Sequence, residues 1–120
     1  MTRDDSSPGM SEVEEAIRRE MLEVHEQSYG TGASRVRIIV DPDHVVVVLD
    51  VELTPAEQTL LSAGETDAVK ITRESFQTAI APTFEAIVER ATGRQVTSFL
   101  SAMSVEPPYS LEFFRLAPAD

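Results

Sequence analysis

Arg73 and Arg94 are the side chains of this sequence whose type and position best fit the binding of an anion. The 120-residue chain carries 21 acidic residues against 10 basic ones, so cations are scarce and the net charge is -11. A guanidinium group binds a carboxylate or a small anion through two parallel hydrogen bonds. We therefore expect Arg73 and Arg94 to contact a small anion or a partner's carboxylate. The alternative is that they pair on the surface with the chain's own acidic residues.

Patterns that would support catalysis or metal binding are weak. His25 and His44 are the only histidines, one late on a predicted helix and the other in a predicted turn, so they are poorly placed to share a metal ion. The run Tyr29-Gly30-Thr31-Gly32 lies between a predicted helix and a predicted strand, whereas a phosphate-binding glycine loop follows a strand and opens a helix. We expect no catalytic residue, no metal site and no cofactor, and we interpret the chain as a non-enzyme.

The acidity of the chain limits its partners. A net charge of -11 repels nucleic-acid phosphates and anionic membrane surfaces. No apolar run approaches the roughly 20 residues that a membrane-spanning helix needs. The first ten residues also lack the apolar segment of a signal peptide. We expect no nucleic-acid binding, no direct membrane insertion and a cytoplasmic location.

One domain is predicted to fill most of the chain. Residues 1–10 mix Asp, Ser, Pro and Gly with few apolar side chains, a composition that cannot offset the entropy lost on ordering. A length of 120 residues suits one hydrophobic core. We therefore expect a disordered leader over residues 1–10 and a single domain over residues 11–117.

The domain is organised around a long helix predicted from Thr72 to Val96. Apolar side chains recur along it at three- and four-residue steps, which places them on one buried stripe. They are Phe76, Ile80, Phe84, Ile87 and Ala91. Thr72 suits the N-cap and Gly93 a left-handed C-cap. Pro82 lacks a backbone N–H, so it predicts either a kink or a split into two helices.

Two β-hairpins are predicted, one on each side of the helical middle. The first joins strands over residues 35–40 and 45–50 through the turn Asp41-Pro42-Asp43-His44. The second joins strands over residues 95–104 and 109–116 across two prolines. With a leading helix, the order α-ββ-αα-ββ predicts an α+β two-layer sandwich, in which two hairpins form a four-stranded antiparallel sheet with helices on one face. Which strands join the hairpins stays open.

Helices on one face would leave the other face of the sheet uncovered. We expect Ile39, Phe99, Met103 and Phe114 to line that uncovered face. An apolar patch of this kind is too large to remain in contact with water, so it predicts a homodimer or a partner protein. The alternative is that Tyr109 and the chain termini cover part of the patch.

Several stretches, taken in order, together resemble a known family. They are Tyr29-Gly30-Thr31-Gly32, Val45-Val46-Val47-Val48-Leu49, Leu53-Thr54-Pro55-Ala56-Glu57, Thr72-Arg73-Glu74-Ser75-Phe76, Val88-Glu89-Arg90-Ala91-Thr92-Gly93-Arg94-Gln95-Val96 and Phe113-Phe114-Arg115-Leu116. In order and spacing they look like the small MpsC-like domain family, named after a sodium-translocating, membrane-potential-generating system. Arg73 and Arg94 fall within its motifs. The chain departs from the family at Thr31 and Ala33, where members usually have a basic residue and a proline.

The resemblance implies a link to ion or inorganic-carbon transport through a membrane-transport protein partner. It attaches no catalytic mechanism to the domain. We therefore expect a non-enzymatic accessory or regulatory interaction module, homodimeric, that meets its partner through the uncovered sheet face. The alternative is a sensor of a small molecule or an anion, with a pocket between the central helix and the sheet.

Overall fold

The structure is a computed structural model that describes residues 10–30 and 33–119. Within these ranges the chain forms three helices and four strands, which confirms the predicted α+β class and element order. They are α1 (Met10–Tyr29), β1 (Ala33–Val40), β2 (His44–Val51), α2 (Pro55–Ser62), α3 (Thr66–Thr92), β3 (Val96–Ser104) and β4 (Tyr109–Leu116). The predicted leader falls mostly on residues 1–9, which lie outside the described residues, whereas Met10 already belongs to α1.

The strands form a single antiparallel sheet in the order β1-β2-β4-β3. Each hairpin keeps its own two strands together, and the hairpins join through their second strands, β2 and β4. This answers the question of pairing that the sequence left open. The register sets Val47 opposite Ile38 on one side and opposite Glu112 on the other. Because neighbours across strands share a face, the register decides which side chains face the helices.

The hydrophobic core lies between the sheet and the helices, which pack on one sheet face as predicted. Helix α1 packs along β1, α3 packs along β3, and the two helices contact each other. Each element buries one side, as its apolar period requires. The core residues include Ile17 and Met21 of α1, Phe84, Ile87 and Val88 of α3, and Ile38, Val45, Val47, Leu49, Phe114 and Leu116 of the sheet.

Helix α3 begins earlier than the sequence predicted. It starts at Thr66, and the predicted cap Thr72 lies inside it, where its hydroxyl donates to the carbonyl of Ala68 at 2.9 Å. The helix continues through Pro82 without a break, so of the two alternatives left open at Pro82 the split into two helices does not occur. Gly93 ends the helix with φ of 70°, which confirms the left-handed C-cap.

The start of α2 shows a capping box. The hydroxyl of Thr54 accepts a hydrogen bond from the N–H of Glu57 at 3.2 Å, and the Glu57 carboxylate accepts one from the N–H of Thr54 at 2.9 Å. Pro55 occupies the first turn, where a missing N–H does no harm. This short helix is therefore fixed at its N-terminus, close to the central helix that follows.

Candidate functional site

A buried polar cluster joins the three helices around Arg73. Only 2% of the Arg73 surface is exposed. Its Nε donates to Glu57 Oε2 and its Nη2 to Glu57 Oε1, both at 2.6 Å. Nη2 also donates to the carbonyl of Glu52 at 3.3 Å. The guanidinium carbon lies 3.7 Å from the centre of the Tyr29 ring, so the cation also rests on an aromatic face.

The electrostatics of the cluster favour the ion pair. Burial opposes ionisation of Glu57, but hydrogen bonds from Arg73 and Thr54 outweigh it, and the pKa of this carboxyl is lowered. Burial raises the pKa of the Tyr29 hydroxyl, and the charge of Arg73 offsets only part of that effect. Arg73 Nη1 lies 3.4 Å from His25 Nε2. A guanidinium only donates hydrogen bonds, so His25 Nε2 is the acceptor in this contact.

The structure gives Arg73 an internal partner, so its predicted contact with an external anion or partner protein gains no support and stays a prediction. The carboxylate that it binds belongs to Glu57 of the same chain, and at 2% exposure the guanidinium is out of reach of an external protein. The role is structural, because Arg73 holds α2 against α3 through Glu57.

Arg94 binds the chain's own carbonyl groups. Its Nε and Nη2 donate to the carbonyl of Ala117 at 3.1 and 2.5 Å, and its Nη1 donates to the carbonyl of Pro42. Nη2 lies 3.9 Å from the carboxylate of Asp43. These contacts tie the turn of the first hairpin to the segment that follows β4. They leave the predicted role of Arg94 in binding an anion without support.

A second polar pair, Gln77 and Glu112, lies beneath α3 on the inner face of the sheet. Gln77 is 6% exposed and Glu112 is 1% exposed. Gln77 Nε2 donates to Glu112 Oε1 at 2.9 Å. The other oxygens of the pair, Gln77 Oε1 and Glu112 Oε2, have no hydrogen-bond partner within the described residues. Two buried acceptors are therefore unsatisfied, which is uncommon in a folded protein.

The same pair lines a recess between α1, α3 and the sheet. The empty space of the recess is about 290 Å³ when its open mouth is included. The volume that the centre of a water molecule can occupy is only about 20 Å³. This is the place where a pocket between the central helix and the sheet was predicted. It is much smaller than the roughly 300–1,000 Å³ of typical small-molecule pockets. Its walls combine apolar and aromatic side chains with His25, Tyr29, Arg73, Gln77, Ser110 and Glu112.

Burial gives Glu112 an unusual acidity. Loss of solvent raises the pKa of its carboxyl from 4.5 to about 7, and hydrogen bonding to Ser101, Gln77 and Ser110 lowers the pKa only in part. Of these three residues, Gln77 forms a hydrogen bond of ordinary length to Oε1, and Oε2 has no partner within the described residues. Glu112 is therefore close to half ionised at neutral pH.

The far side of the sheet carries an apolar surface that the helices do not cover. One row across all four strands consists of Ile39, Val46, Phe113 and Leu100, which face one another in the register. The next row adds Val48, Leu111 and Ala102. We call these seven residues the open sheet face. Ile39 is 62% exposed and Leu100 is 64% exposed.

The sequence predicted an uncovered apolar face but assigned most of its residues wrongly. Ile39 lies on the open sheet face as expected. Met103 and Phe114 point towards the helices and belong to the core, and the Phe99 ring packs on Phe114 with centroids 4.9 Å apart. The physical reason is the register: Phe99 pairs with Phe114, and Phe114 pairs with the buried Val45.

The open sheet face is poor in acidic residues. Arg35 and Arg37 border it on β1 and Arg115 borders it on β4, since they share its side of the sheet by alternation. Asp50 is the acidic residue of the strands on that side, and Arg37 lies 3.7 Å from its carboxylate. In a chain of net charge -11, this side is locally neutral to basic.

The two histidines lie in different parts of the fold and do not contact each other. His25 lies in the helical cluster, whereas His44 bonds to Asp41 in the hairpin turn at 3.1 Å. Over residues 10–30 and 33–119, no group of three His, Cys, Asp or Glu side chains is arranged to hold a metal ion. In the same part of the chain, no helix has both the length and the apolar character to cross a membrane.

Sequence reasoning missed Gln77, Glu112 and the role of Glu57 at Arg73. A signal for Glu112 was present, because a glutamate stands between Leu111 and Phe113 in a strand that is otherwise largely apolar. A signal for Gln77 was its position four residues after Arg73, which places both on one side of the helix. The pairing of Arg73 with Glu57 depends on how two helices pack, which no local pattern records.

Fold and site together define a two-layer α+β domain with a buried ion-pair cluster and an uncovered apolar sheet face. The sequence profile of the family described as Na+-translocating membrane potential-generating system (MpsC) matches residues 10–117. The chain therefore belongs to the MpsC family, as its resemblance suggested. No curated protein and no solved structure gives a significant match.

The stretches that carried the resemblance meet in the structure and stabilise the fold. Tyr29, Thr54, Glu57 and Arg73, from three different stretches, form the helical cluster. In the stretch around the end of α3, the Thr92 hydroxyl accepts from the N–H of Arg94 at 3.2 Å and Glu89 Oε2 accepts from the N–H of Val96 at 2.9 Å. These residues direct the chain from α3 into β3.

Proposed function

We propose that this chain is a non-enzymatic accessory module of the Na+-translocating system after which its family is described, and that it acts as a homodimer joined through the open sheet face. The family description supports the link to Na+ transport and membrane potential. The single observation that carries the docking part is the continuous apolar row across four strands, which none of the described helices covers. Surfaces of this kind mark interaction sites.

Charge favours a second copy at this face. Two chains of net charge -11 repel each other on average. Their approach is least unfavourable where acidic residues are fewest, and that place is the open sheet face. Face-to-face contact there keeps the acidic helical sides of both copies in solvent.

The area of the face fits a weak dimer. Four strands of about eight residues cover roughly 500 Å² of sheet plane, given a rise of about 3.4 Å per residue and a strand spacing of about 4.8 Å. A standard interface buries about 800 Å² on each partner. Because side chains project from the sheet, the accessible area of this face is larger than the area of the sheet plane. We therefore expect a reversible dimer whose population depends on protein concentration.

Sedimentation velocity over a range of concentrations tests the dimer with two matched variants. Ile39 and Ile71 are both 62% exposed, but Ile39 lies on the open sheet face and Ile71 on α3. The Ile39→Asp variant is expected to remain monomeric, because dimerisation would bury an unpaired carboxylate. The wild type and the Ile71→Asp variant are expected to dimerise alike. A wild type that stays monomeric at every concentration, or two variants that dimerise equally, contradicts the proposal.

The link to transport is tested in cells that depend on the chain. Cells lacking it are supplied with the wild type, Ile39→Asp or Ile71→Asp, and membrane potential is followed with a potential-sensitive dye at varied Na+ concentration. We expect the wild type and Ile71→Asp to restore a Na+-dependent potential and Ile39→Asp to fail. Equal restoration by all three would separate the transport role from the open sheet face.

A further inference from the structure

We propose that the recess between α1, α3 and the sheet binds a primary ammonium group, either the ammonium ion itself or the head of a small alkylamine. This site lies on the inner face of the sheet. It is independent of the open sheet face and of the proposed dimer.

The first support is the unsatisfied pair of acceptors. Gln77 Oε1 and Glu112 Oε2 belong to side chains that are 6% and 1% exposed, line the recess, and lack a hydrogen-bond partner within the described residues. Both atoms are acceptors when Glu112 is ionised, so one group that satisfies both must donate at least two hydrogen bonds. A primary ammonium group supplies three.

The size and walls of the recess fit the same group. The volume open to the centre of a water-sized molecule is about 20 Å³, so the recess holds one group of about that size. Phe76 and Phe84 line the space together with Tyr29, whose ring already contacts Arg73. Aromatic rings attract ammonium groups through their negative faces. The open mouth of the recess leaves room for a short alkyl tail.

The charged groups that face the recess leave the negative charge of Glu112 uncompensated whenever its carboxyl is ionised. From α1 come His25, whose Nε2 faces Arg73, and the Tyr29 hydroxyl. From α3 comes Arg73, and its charge is matched by Glu57 of α2 at 2.6 Å. From β4 comes Glu112, for which no cationic partner is found in the described part of the chain. A bound monovalent cation would neutralise the site.

Two simpler occupants make different predictions. A single trapped water satisfies both acceptors but leaves the charge of Glu112 in place, and it does not respond to added salt. A metal ion would coordinate the same oxygens, but it has no hydrogen atoms with which to form hydrogen bonds. Potassium and ammonium have similar size, so they separate a hydrogen-bonding cation from a coordinated one.

The test is a titration followed by the backbone amide NMR signals of Gln77 and Glu112 at pH 8. The probes are ammonium chloride, methylammonium chloride and potassium chloride at equal concentrations. We expect saturable shifts with ammonium or methylammonium and none with potassium. Tighter binding of methylammonium identifies an alkylamine head, and tighter binding of ammonium identifies the free ion. Equal responses to all three salts, or saturation by potassium alone, overturn the proposal.

Variants keep the test specific. Glu112→Gln preserves the shape of the side chain and removes its charge, so affinity is expected to fall roughly tenfold or more. Glu85→Gln, on the same helix as Gln77 but outside the recess, should bind as the wild type does. Gln77→Leu should also weaken binding, which provides a second reading if Glu112→Gln alters the fold. Unchanged affinity in both Glu112→Gln and Gln77→Leu overturns the site.

Discussion

Glu57 combines two interactions that are usually made by different residues. Its carboxylate closes the capping box with Thr54 and also receives two hydrogen bonds from Arg73. The pair is buried, with side chains 3% and 13% exposed. Breaking such a pair from one side leaves an uncompensated charge in a dry environment, and that penalty exceeds the loss of the contact itself.

The substitution Glu57→Gln isolates the ion pair, because glutamine can still accept the capping hydrogen bond. We expect it to lower the free energy of unfolding by about 3–5 kcal/mol. Equilibrium unfolding in urea measures the change. The matched control is Glu20→Gln, which removes the exposed pair with Arg90 at 2.6 Å and should lower stability by less than about 1 kcal/mol. Similar losses for both variants would show that the buried pair has no special role.

Glu112 makes stability depend on pH. Its pKa is 4.5 in an ordinary environment and about 7 in the folded chain, so the folded state holds the proton more tightly. The stabilisation is complete below pH 4.5, declines as pH rises, and is lost above about pH 7. A shift of this size corresponds to about 3 kcal/mol.

We expect Glu112→Gln to remove this decline, so that the variant gains stability over the wild type as pH rises from 5 to 8. Urea unfolding of both proteins at several pH values, in buffers free of amines, measures the difference. Glu85→Gln serves as the control and should keep the wild-type slope. Parallel pH profiles for the wild type and Glu112→Gln would mean that the carboxyl is not protonated in the fold.

The residue types in the sequence identified the important side chains more reliably than they identified the contacts of those side chains. Arg73 stood out because cations are scarce, and it is indeed exceptional, but its partner is internal. Glu57 and Arg73 lie 16 positions apart, and they meet only because α2 folds back against α3. Local sequence patterns define each helix and carry no information on that packing.

At the scale of elements, the sequence predicted an uncovered sheet face but placed Met103 and Phe114 on it, whereas both point inward. In β3 and β4 the inner side also includes Glu112 and Ser110, and the outer side includes Leu100 and Phe113. A rule that places apolar residues inside therefore gives the reverse answer. The sheet therefore departs from the usual pattern twice: a polar pair is buried on its inner face, and apolar side chains are exposed on its outer face.

Helix α3 contains a proline, Pro82, that lowers its stability. Pro82 is exposed in mid-helix, where it removes one hydrogen bond and presses on the preceding turn. We expect Pro82→Ala to raise the free energy of unfolding by about 1–3 kcal/mol, because alanine restores the bond without changing the buried side. Urea unfolding measures the gain. A loss of stability instead would indicate that the shape imposed by proline is needed for packing on β3.

The hairpins and caps were the elements that the sequence predicted best. Both hairpin turns, the capping box at Thr54 and the left-handed Gly93 are set by residues close together in the chain. The start of α3 was less visible, because residues 65–70 show no strong cap and Glu65 makes no capping hydrogen bond. Order in the sheet depended on contact between the hairpins, which lies beyond local signals.

At the scale of the whole molecule, the helical layer and the open sheet face differ in chemistry. Most of the 21 acidic residues lie in helices and turns, and within the strands only Asp50 and Glu112 are acidic. The open sheet face is consequently the region where apolar contact and low repulsion coincide. That coincidence is the basis of the proposed dimer, and it also predicts that dimerisation strengthens as salt screens the remaining charges.

Cross-linking through a single introduced cysteine tests the dimer most directly, because the chain has no cysteine of its own. Leu100→Cys places a thiol on the open sheet face, and Ile71→Cys places one on α3 at comparable exposure. The measurement is the fraction of covalent dimer formed with a short bis-maleimide. We expect Leu100→Cys to cross-link rapidly and Ile71→Cys to remain largely monomeric. Equal cross-linking of the two variants, or preferential cross-linking through Ile71→Cys, would contradict docking through the open sheet face.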